Sequence, residues 1–441
     1  FTKDLWETSL VYPCSNMNES KTRDRKKQLE KPVLKKGPMP KILITGVKGY
    51  VGSNLRKSLQ DKGYDIYGID IKDIQEEKMC RVDINDSQSI LNLFNALKPD
   101  IVIHMAALSS LDECEKNTEL AIKINVEGTK NIINAICKIN HNIKLIFMST
   151  DYVFDGKRGN YRENDEVNPQ TFYGKTKAIS ENDIKNKLEN YIICRTANVF
   201  GRGGNFFNFI LDALERNKTI GVYEDAFLTP TYIDYLTSSI KEVMELDYKG
   251  IIHIAGSERI SRYHFALKMA KALGKDKTLI KRIKRSSGEL IAKDSSLNSE
   301  YSRKILKNLC PSIEESLHYC FGNLKPPYFN FVDERGKFIG IVQGEEWKEI
   351  NYIESSKGSI RGNHYHKETK ECFFIIEGRI RVSLHDLVSN SKRIFIVKKG
   401  DILIINTNTL HTFETLVNSN WINMLSKPMN DGSKDFYRLP S

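Results

Sequence analysis

The sequence predicts a doubly wound, parallel α/β sheet with a small substrate lobe, followed by an all-β barrel or sandwich. Three observations predict it. Short apolar runs alternate with helical stretches from Lys41 to Arg195, the rhythm of a parallel sheet covered on both faces. A glycine-rich turn, TGVKGYVG at 45–52, joins the first run to the first helix. Past Gly322 the helical texture gives way to short β-rich runs between Gly and Asn turns.

The elements follow in order. KILIT at 41–45 is a buried-strand run, and 50–61 carries a helical pattern. Residues 65–70 form a second strand, 87–97 a helix, and PDIVIH at 99–104 a further strand. One long helix is expected over 118–138, a strand over 144–148, a helix over 171–188 and a strand, YIICR, over 191–195. The rhythm loosens after Phe200, and 203–320 mixes helices with short strands, as a substrate-covering lobe does. The division expected is 1–39 as tail or linker, 40–321 as the nucleotide-binding unit, and 322–441 as the all-β unit. Within the last, Glu371–Ile376 and Arg393–Val397 read as short strands.

Charge and composition narrow the function classes. The net charge is +11, and it is localised: 1–40 carries +4 and 271–310 carries +7. A solvated lysine-rich surface accounts for this, and the sharper reading is that the second window attracts a diphosphate. No basic stripe is interleaved with aromatics, so nucleic acid is not an expected partner. No run approaches the length of a membrane span. The first thirty residues lack the order of a signal peptide. Eight cysteines show no CxxC spacing, which suits reduced thiols and a cytoplasmic setting. A homodimer or higher homo-oligomer is expected.

The turn at 45–52 has the flanks of a dinucleotide site. Gly46 permits the tight turn, Gly49 lets the backbone approach a pyrophosphate, and Gly52 lets the helix pack on the strand, with Tyr50 and Val51 opening that helix. Asp70 ends the second strand 18 residues after Gly52. A carboxylate there accepts ribose hydroxyls and repels a 2′-phosphate, which favours NAD over NADP, with Lys72 softening the preference. Asp83 and Ile84 are placed to meet the adenine, and Ala106 and Ala107 leave room for the cofactor to pass. His104 reads as a packed, hydrogen-bonded strand-end histidine.

Thr150 closes an apolar run, and Tyr173 and Lys177 follow at i and i+4 on one helix face. A phenol beside an ammonium, with a hydroxyl donor near the same oxygen, is the equipment for proton transfer next to a nicotinamide. Asp151 and Tyr152 are candidates for orienting substrate.

At these residues the chain resembles the extended short-chain dehydrogenase/reductases, with their Rossmann-type sheet, and within them the dTDP-4-dehydrorhamnose reductases. The stretches that carry the resemblance include TGVKGYVG, VIHMAAL, INVEGTKN, STDYVFDG, YGKTK, RTANVFG, TPTYIDYL and AKDSSLN, between Lys41 and about Phe321. The resemblance implies hydride transfer from NAD(P)H to the C4 keto carbon of a nucleotide-diphosphate 6-deoxy sugar, with Thr150, Tyr173 and Lys177 as the catalytic set. Related dehydratases carry Asp-Glu after the threonine; here Tyr152 follows Asp151, which argues against dehydration. The family also includes the non-catalytic regulatory subunit of methionine adenosyltransferase. A reading as a binding protein of that kind stays open, as does an epimerase whose bound NAD recycles.

The last hundred residues hold a second chemical pattern. His364 and His366 lie at strand period, Glu371 follows, and His411 lies downstream. Three imidazoles and a carboxylate suit a divalent metal, zinc foremost, with iron, manganese or nickel as alternatives. The spacing from Gly358 to Gly378 resembles the first motif of the cupins, which implies a double-stranded β-helix, or jelly roll. Asn406 and Asn408 stand where cupins usually have Pro and Gly. A reductase followed by a metal cupin is similar to bifunctional bacterial capsular polysaccharide enzymes. That implies epimerisation at C3 or 3,4-ketoisomerisation of a 4-keto sugar nucleotide; a cupin that has lost its metal and serves as a dimerisation module is the other reading.

Overall fold

A computed structural model describes residues 39–61, 63–286, 288–325, 327, 329–333, 336–342, 347–428 and 435–439. The expected tail, up to residue 38, lies outside the described residues. From Pro40 onward the chain is one compact unit.

Its first part is a seven-stranded, all-parallel sheet. The strands are β1 (Lys41–Thr45), β2 (Asp65–Asp70), β3 (Met79–Arg81), β4 (Ile101–His104), β5 (Lys144–Thr150), β6 (Tyr191–Thr196) and a final strand, Gly250–His253. Their spatial order is the final strand, then β6, β5, β4, β1, β2 and β3. The chain leaves β1 toward β3 and crosses back to β4. The crevice at the C-terminal ends of β1 and β4 is therefore the switch point where doubly wound sheets bind ligands. Strand alternation divides the core in two. Ile42, Ile44, Ile103, Ile146 and Ile192 pack on one face with Leu55, Phe207 and Leu236. Leu43, Val102, Leu145, Phe147 and Ile193 pack on the other with Phe94, Ile132 and Ile136.

Most elements lie where the periodicity places them, and two differ instructively. The single helix expected over 118–138 is broken. Helices Leu111–Lys116 and Thr118–Ala121 lead into a π-helical turn, Ile122–Glu127, before the α-helix Gly128–Ile139. A wide turn shifts the register of the backbone bonds. The Asn125 carbonyl accepts hydrogen bonds from Thr129 Oγ1 at 2.6 Å and Ser180 Oγ at 2.8 Å.

The second difference is β5, which runs two residues further than its apolar stretch. Ser149 and Thr150 pair with Arg195 and Thr196. Polar residues persist in a buried strand here because they are satisfied. Ser149 Oγ donates to Glu181 Oε1 at 2.5 Å, and Arg195 grips Glu181 with Nε at 2.9 Å and a terminal nitrogen at 2.6 Å. Both members of the ion pair are 1% exposed. Removing one partner strands a buried charge. Glu181→Ala is expected to destabilise the protein by about 3–5 kcal/mol in denaturant titration.

The second part is a six-stranded antiparallel sheet: Glu349–Ser355, Ile360–His364, Glu371–Asp386, Lys392–Lys398, Ile402–Ile405 and Thr409–Leu425. The short runs expected near 371 and 393 belong to longer strands. Glu371–Asp386 pairs with Thr409–Leu425 along its length, through register shifts between Ile375 and Ile380. Such bulges bend a long strand and hide it from a simple alternation pattern. Trp421, Phe373, Ile375, Val382 and Phe413 fill its core. Phe321 belongs to the first core and Leu324 to this one. Among the described residues no helix is long and apolar enough to cross a membrane.

Candidate functional site

The switch-point crevice is shaped by glycine. Gly46 has φ +70°, and a Cβ there would lie 2.7 Å from the Ala106 backbone nitrogen. A Cβ on Gly52 would lie 2.3 Å from the Gly46 carbonyl oxygen. Neither position admits a side chain, so strand, turn and helix meet backbone to backbone. The helix Tyr50–Gln60 starts from Gly49 without a side-chain cap. Its first-turn amides lie along the wall of a cavity of about 440 Å³ lined by Gly46, Gly49, Tyr50, Val51, Gly52 and Ala107.

A neighbouring cavity of about 310 Å³ shares Gly46, Gly49 and Ala107 and adds Asp70, Asp83, Ile84 and Ala106. Asp70 is held at its rim, accepting from the backbone N–H of Lys48 at 2.9 Å and of Lys72 at 3.1 Å. His104 faces inward. Its Nε2 lies 3.0 Å from Thr129 Oγ1, which itself donates to a carbonyl, and its Nδ1 lies 2.7 Å from Thr45 Oγ1. That pattern fits a neutral ring with the proton on Nε2. Burial, with Lys177 adding to it, pushes its pKa down to about 3. As the sequence suggests, it is a packed, hydrogen-bonded residue.

Thr150, Tyr173 and Lys177 line the larger cavity opposite the glycine turn. The helix Phe172–Lys187 begins at Thr171, whose side chain accepts from the Gly174 N–H at 3.1 Å. One turn then carries Tyr173 and Lys177 onto the same face. Thr150 Oγ1 donates to Asp151 Oδ1 at 3.0 Å. Burial pushes the Tyr173 phenol well above its ordinary range, with Asp151 adding to the shift and Thr150 opposing it. Burial thus favours the protonated phenol.

Burial pushes Lys177 down to about 7, against the pull of Glu181. Its ammonium lies 3.9 Å from the Phe147 ring centroid. The unfolded chain, with an ordinary lysine, binds more protons between about 7 and 10.5 than the folded one. Stability of the cofactor-free protein therefore rises with pH through that window. Denaturant titrations at pH 7, 8 and 9 are expected to show the rise, and Lys177→Met to flatten it.

Two neighbours, Asn125 and Arg262, were given no role by the sequence. Asn125 at the π-turn ties the Tyr173–Lys177 helix in place, donating to Thr176 Oγ1 at 3.0 Å and accepting from Ser180 through its carbonyl. Arg262, at the start of a distant helix, enters the larger cavity with its guanidinium 4.7 Å from the Phe206 ring centroid. Burial raises the Asp151 carboxyl to about 6, against Ser295, Thr150 and Arg262. The Tyr152 ring meets Tyr173 edge-on at 6.4 Å. The basic window 271–310 contributes no cation to the lining of this cavity among the described residues. Its only lining residue among those described is Ser295, and the cations present are Lys177 and Arg262. Net charge along the chain does not report which side chains a fold turns inward.

A second cluster forms in the antiparallel sheet. His364, His366, Glu371 and His411 each offer a ligand atom within 4.8 Å of one another. His364 pairs with His411 across the ladder, after a register shift at Gly362. Glu371 opens its strand and has Oε2 3.1 Å from His411 Nε2 and 3.6 Å from His366 Nε2. His411 Nδ1 lies 3.1 Å from the Thr409 carbonyl, and His366 Nδ1 bonds the Asp435 carbonyl. In both rings Nε2 is thereby left toward the cluster. His366 Nε2, His364 Nδ1 and Glu371 Oε2 are buried without hydrogen-bond partners. Converging orphan donors of this kind fit a divalent cation. Asn408, in place of the usual glycine, adopts φ +59°, a conformation asparagine tolerates.

Residues 40–324 match the family described as RmlD substrate binding domain, and residues 331–426 match the polysaccharide biosynthesis C-terminal domain. A dTDP-4-dehydrorhamnose reductase of Aggregatibacter actinomycetemcomitans is 34% identical over 239 residues, 52% of this chain and 78% of that protein. The methionine adenosyltransferase 2 subunit beta of Xenopus laevis is 27% identical over 245 residues, 53% of this chain and 72% of its own length. Among solved structures, a dTDP-4-dehydrorhamnose reductase from Bacillus anthracis str. Ames in complex with NADP superposes with a TM-score of 0.59 at 28% identity, covering 64% of this chain and 99% of that one.

Proposed function

The chain belongs to the RmlD substrate binding domain family, and on that footing we propose that it reduces the C4 keto group of a nucleotide-linked 4-keto-6-deoxy sugar, using NAD(P)H. The observation that carries this reading is one cavity in which Thr150, Tyr173 and Lys177 face the glycine turn. Gly46, Gly49, Tyr50, Val51 and Gly52 would hold the dinucleotide phosphates, with Asp70, Asp83, Ile84, Ala106 and Ala107 around the adenosine. When bound, the dinucleotide supplies the hydride that the substrate carbon receives. Tyr173, a phenol in this site, gives its proton to the carbonyl oxygen. Thr150 donates to the same oxygen, and the Lys177 ammonium stabilises the phenolate left behind. Asp151 and Tyr152 orient the sugar, and Arg262 faces its diphosphate.

The Asp70 carboxylate favours the ribose hydroxyls of NAD, while Lys48 and Lys72 beside it offer charge to a 2′-phosphate; the reductase relative with NADP bound supports use of the phosphorylated form as well.

For the second part we propose a metal-binding, cupin-like module acting on the same keto sugar. The convergence of His364, His366, Glu371 and His411, with three orphaned ligand atoms, supports it. A bound divalent ion there supplies Lewis-acid polarisation of a keto oxygen, which acidifies the proton at C3. Epimerisation at C3 and 3,4-ketoisomerisation both fit.

The test is incubation with dTDP- and UDP-linked 4-keto-6-deoxy sugars, with NADH or NADPH, reading oxidation at 340 nm and products by NMR. Net oxidation with a 4-hydroxy product supports the reductase. Isomerised product without net oxidation favours an epimerase that recycles NAD. Cofactor binding without turnover on either sugar favours the regulatory reading. Exchange of the C3 proton in D2O, without NAD(P)H, tests the second module.

A further inference from the structure

We infer that residues 435–438 are a structural part of the metal centre, positioning two of its histidines. This inference rests on the metal reading above. The segment lies beyond the residues that either family comparison matches.

The segment is tied to the strand end and following loop that carry His364 and His366. Tyr437 and Tyr365 exchange both backbone hydrogen bonds, at 3.0 and 2.9 Å. The Asp435 carboxylate accepts from the backbone N–H of Lys367 at 2.7 Å, of Glu368 at 3.1 Å and of Thr369 at 2.7 Å, and from the Thr369 hydroxyl at 2.7 Å. A single carboxylate thus closes the loop that follows His366.

Two contacts reach the ligand set. The Asp435 carbonyl receives the His366 Nδ1 hydrogen bond, which fixes that ring's tautomer and turns Nε2 toward Glu371. The Phe436 ring stacks on His364, centroids 4.1 Å apart and 25° from parallel, and meets His366 edge-on at 6.2 Å. Phe436 is 43% exposed, so a core role does not account for its place. Asp435 holds the strap, its carbonyl orients one ligand, and its neighbour's ring orients another. Both are positioning residues: Asp435 is not in the converging group, and Phe436 has no ligand atom to offer.

The experiment uses the full chain and Zn²⁺, with affinity read by competition against a chromophoric chelator. Asp435→Ala removes the carboxylate that ties the strap to residues 367–369 and so frees the backbone carbonyl that partners His366; it is expected to weaken Zn²⁺ binding by up to roughly 10–100-fold, the range seen when an outer partner of a ligating histidine is lost. Asp435→Asn, which keeps one carbonyl acceptor, is expected to recover part of it. Phe436→Ala, at a half-exposed position, serves if Asp435→Ala misfolds, and is expected to weaken binding several-fold. A wild-type near-UV circular dichroism spectrum, to which the buried Trp421 of the antiparallel core contributes, reports that each variant is folded there, and NAD(P)H oxidation reports the first part. Wild-type affinity in both alanine variants overturns the inference and leaves the metal reading standing. A wild-type chain that binds no Zn²⁺ overturns both.

Discussion

Replacing Tyr173 with Phe is expected to abolish reduction of a 4-keto sugar nucleotide while leaving dinucleotide binding intact. Tyr173 is a half-buried phenol that lines the cavity together with Thr150 and Lys177, and burial keeps its proton on the oxygen. General acid catalysis of this kind is worth about 10²–10⁴-fold, and removing the hydroxyl removes the proton with it. Phe keeps the ring, its edge-on contact with Tyr152 and the helix face that carries Lys177. The glycine turn and Asp70 are untouched, so dinucleotide affinity is expected to stay within roughly threefold, under 1 kcal/mol. Fluorescence titration with NADH and steady-state turnover separate the two outcomes. Retained turnover above about a tenth of wild type would sink the assignment of Tyr173 as the acid.

The second large effect is expected from His364→Ala with His366→Ala. Two of the four converging ligands go, and Glu371 and His411 remain with too few donors to complete a closed site. Metal content by elemental analysis is expected to fall from one equivalent to background, with affinity lost by more than the roughly 100-fold that an outer-partner mutation costs. NAD(P)H oxidation on a preformed 4-keto substrate is expected to be unchanged, because Thr150, Tyr173 and Lys177 lie against the parallel sheet and the histidines lie in the antiparallel one. A wild-type protein with no metal as purified and none after loading would leave the histidine cluster as structural only.

The residues of both sites were legible in the chain because their spacing matches backbone geometry. Tyr173 and Lys177 are one helical turn apart, His364 and His366 are one strand period apart, and the glycines of 46–52 mark a strand-to-helix turn. The structure brings each of those sets together. The misses have a common cause. Ser149 reads as the polar end of an apolar run until Glu181, itself held by Arg195, accepts from its hydroxyl inside the strand. The π-turn at Ile122–Glu127 leaves no mark on apolar period, since the helix on either side keeps its pattern. Arg262 and Asn125 act through partners far along the chain: Arg262 sits in no motif the sequence singled out, and Asn125 lies in the stretch INVEGTKN without any local sign of its role.

Local spacing and patterning, by themselves, determined the parallel α/β class, the glycine turn, the shared helix face of Tyr173 and Lys177 and the strand-period pair His364 and His366. Each depends on residues whose relation is set by the helix or strand period, whereas Thr150, Glu371 and His411 join them only through family resemblance and the tertiary fold. Tertiary structure alone decided which cations line the larger cavity, how the strand end is kept buried, and that residues 435–438 fold back onto the histidines. Those depend on long-range hydrogen bonding and desolvation, which arise only when distant segments exclude water between them.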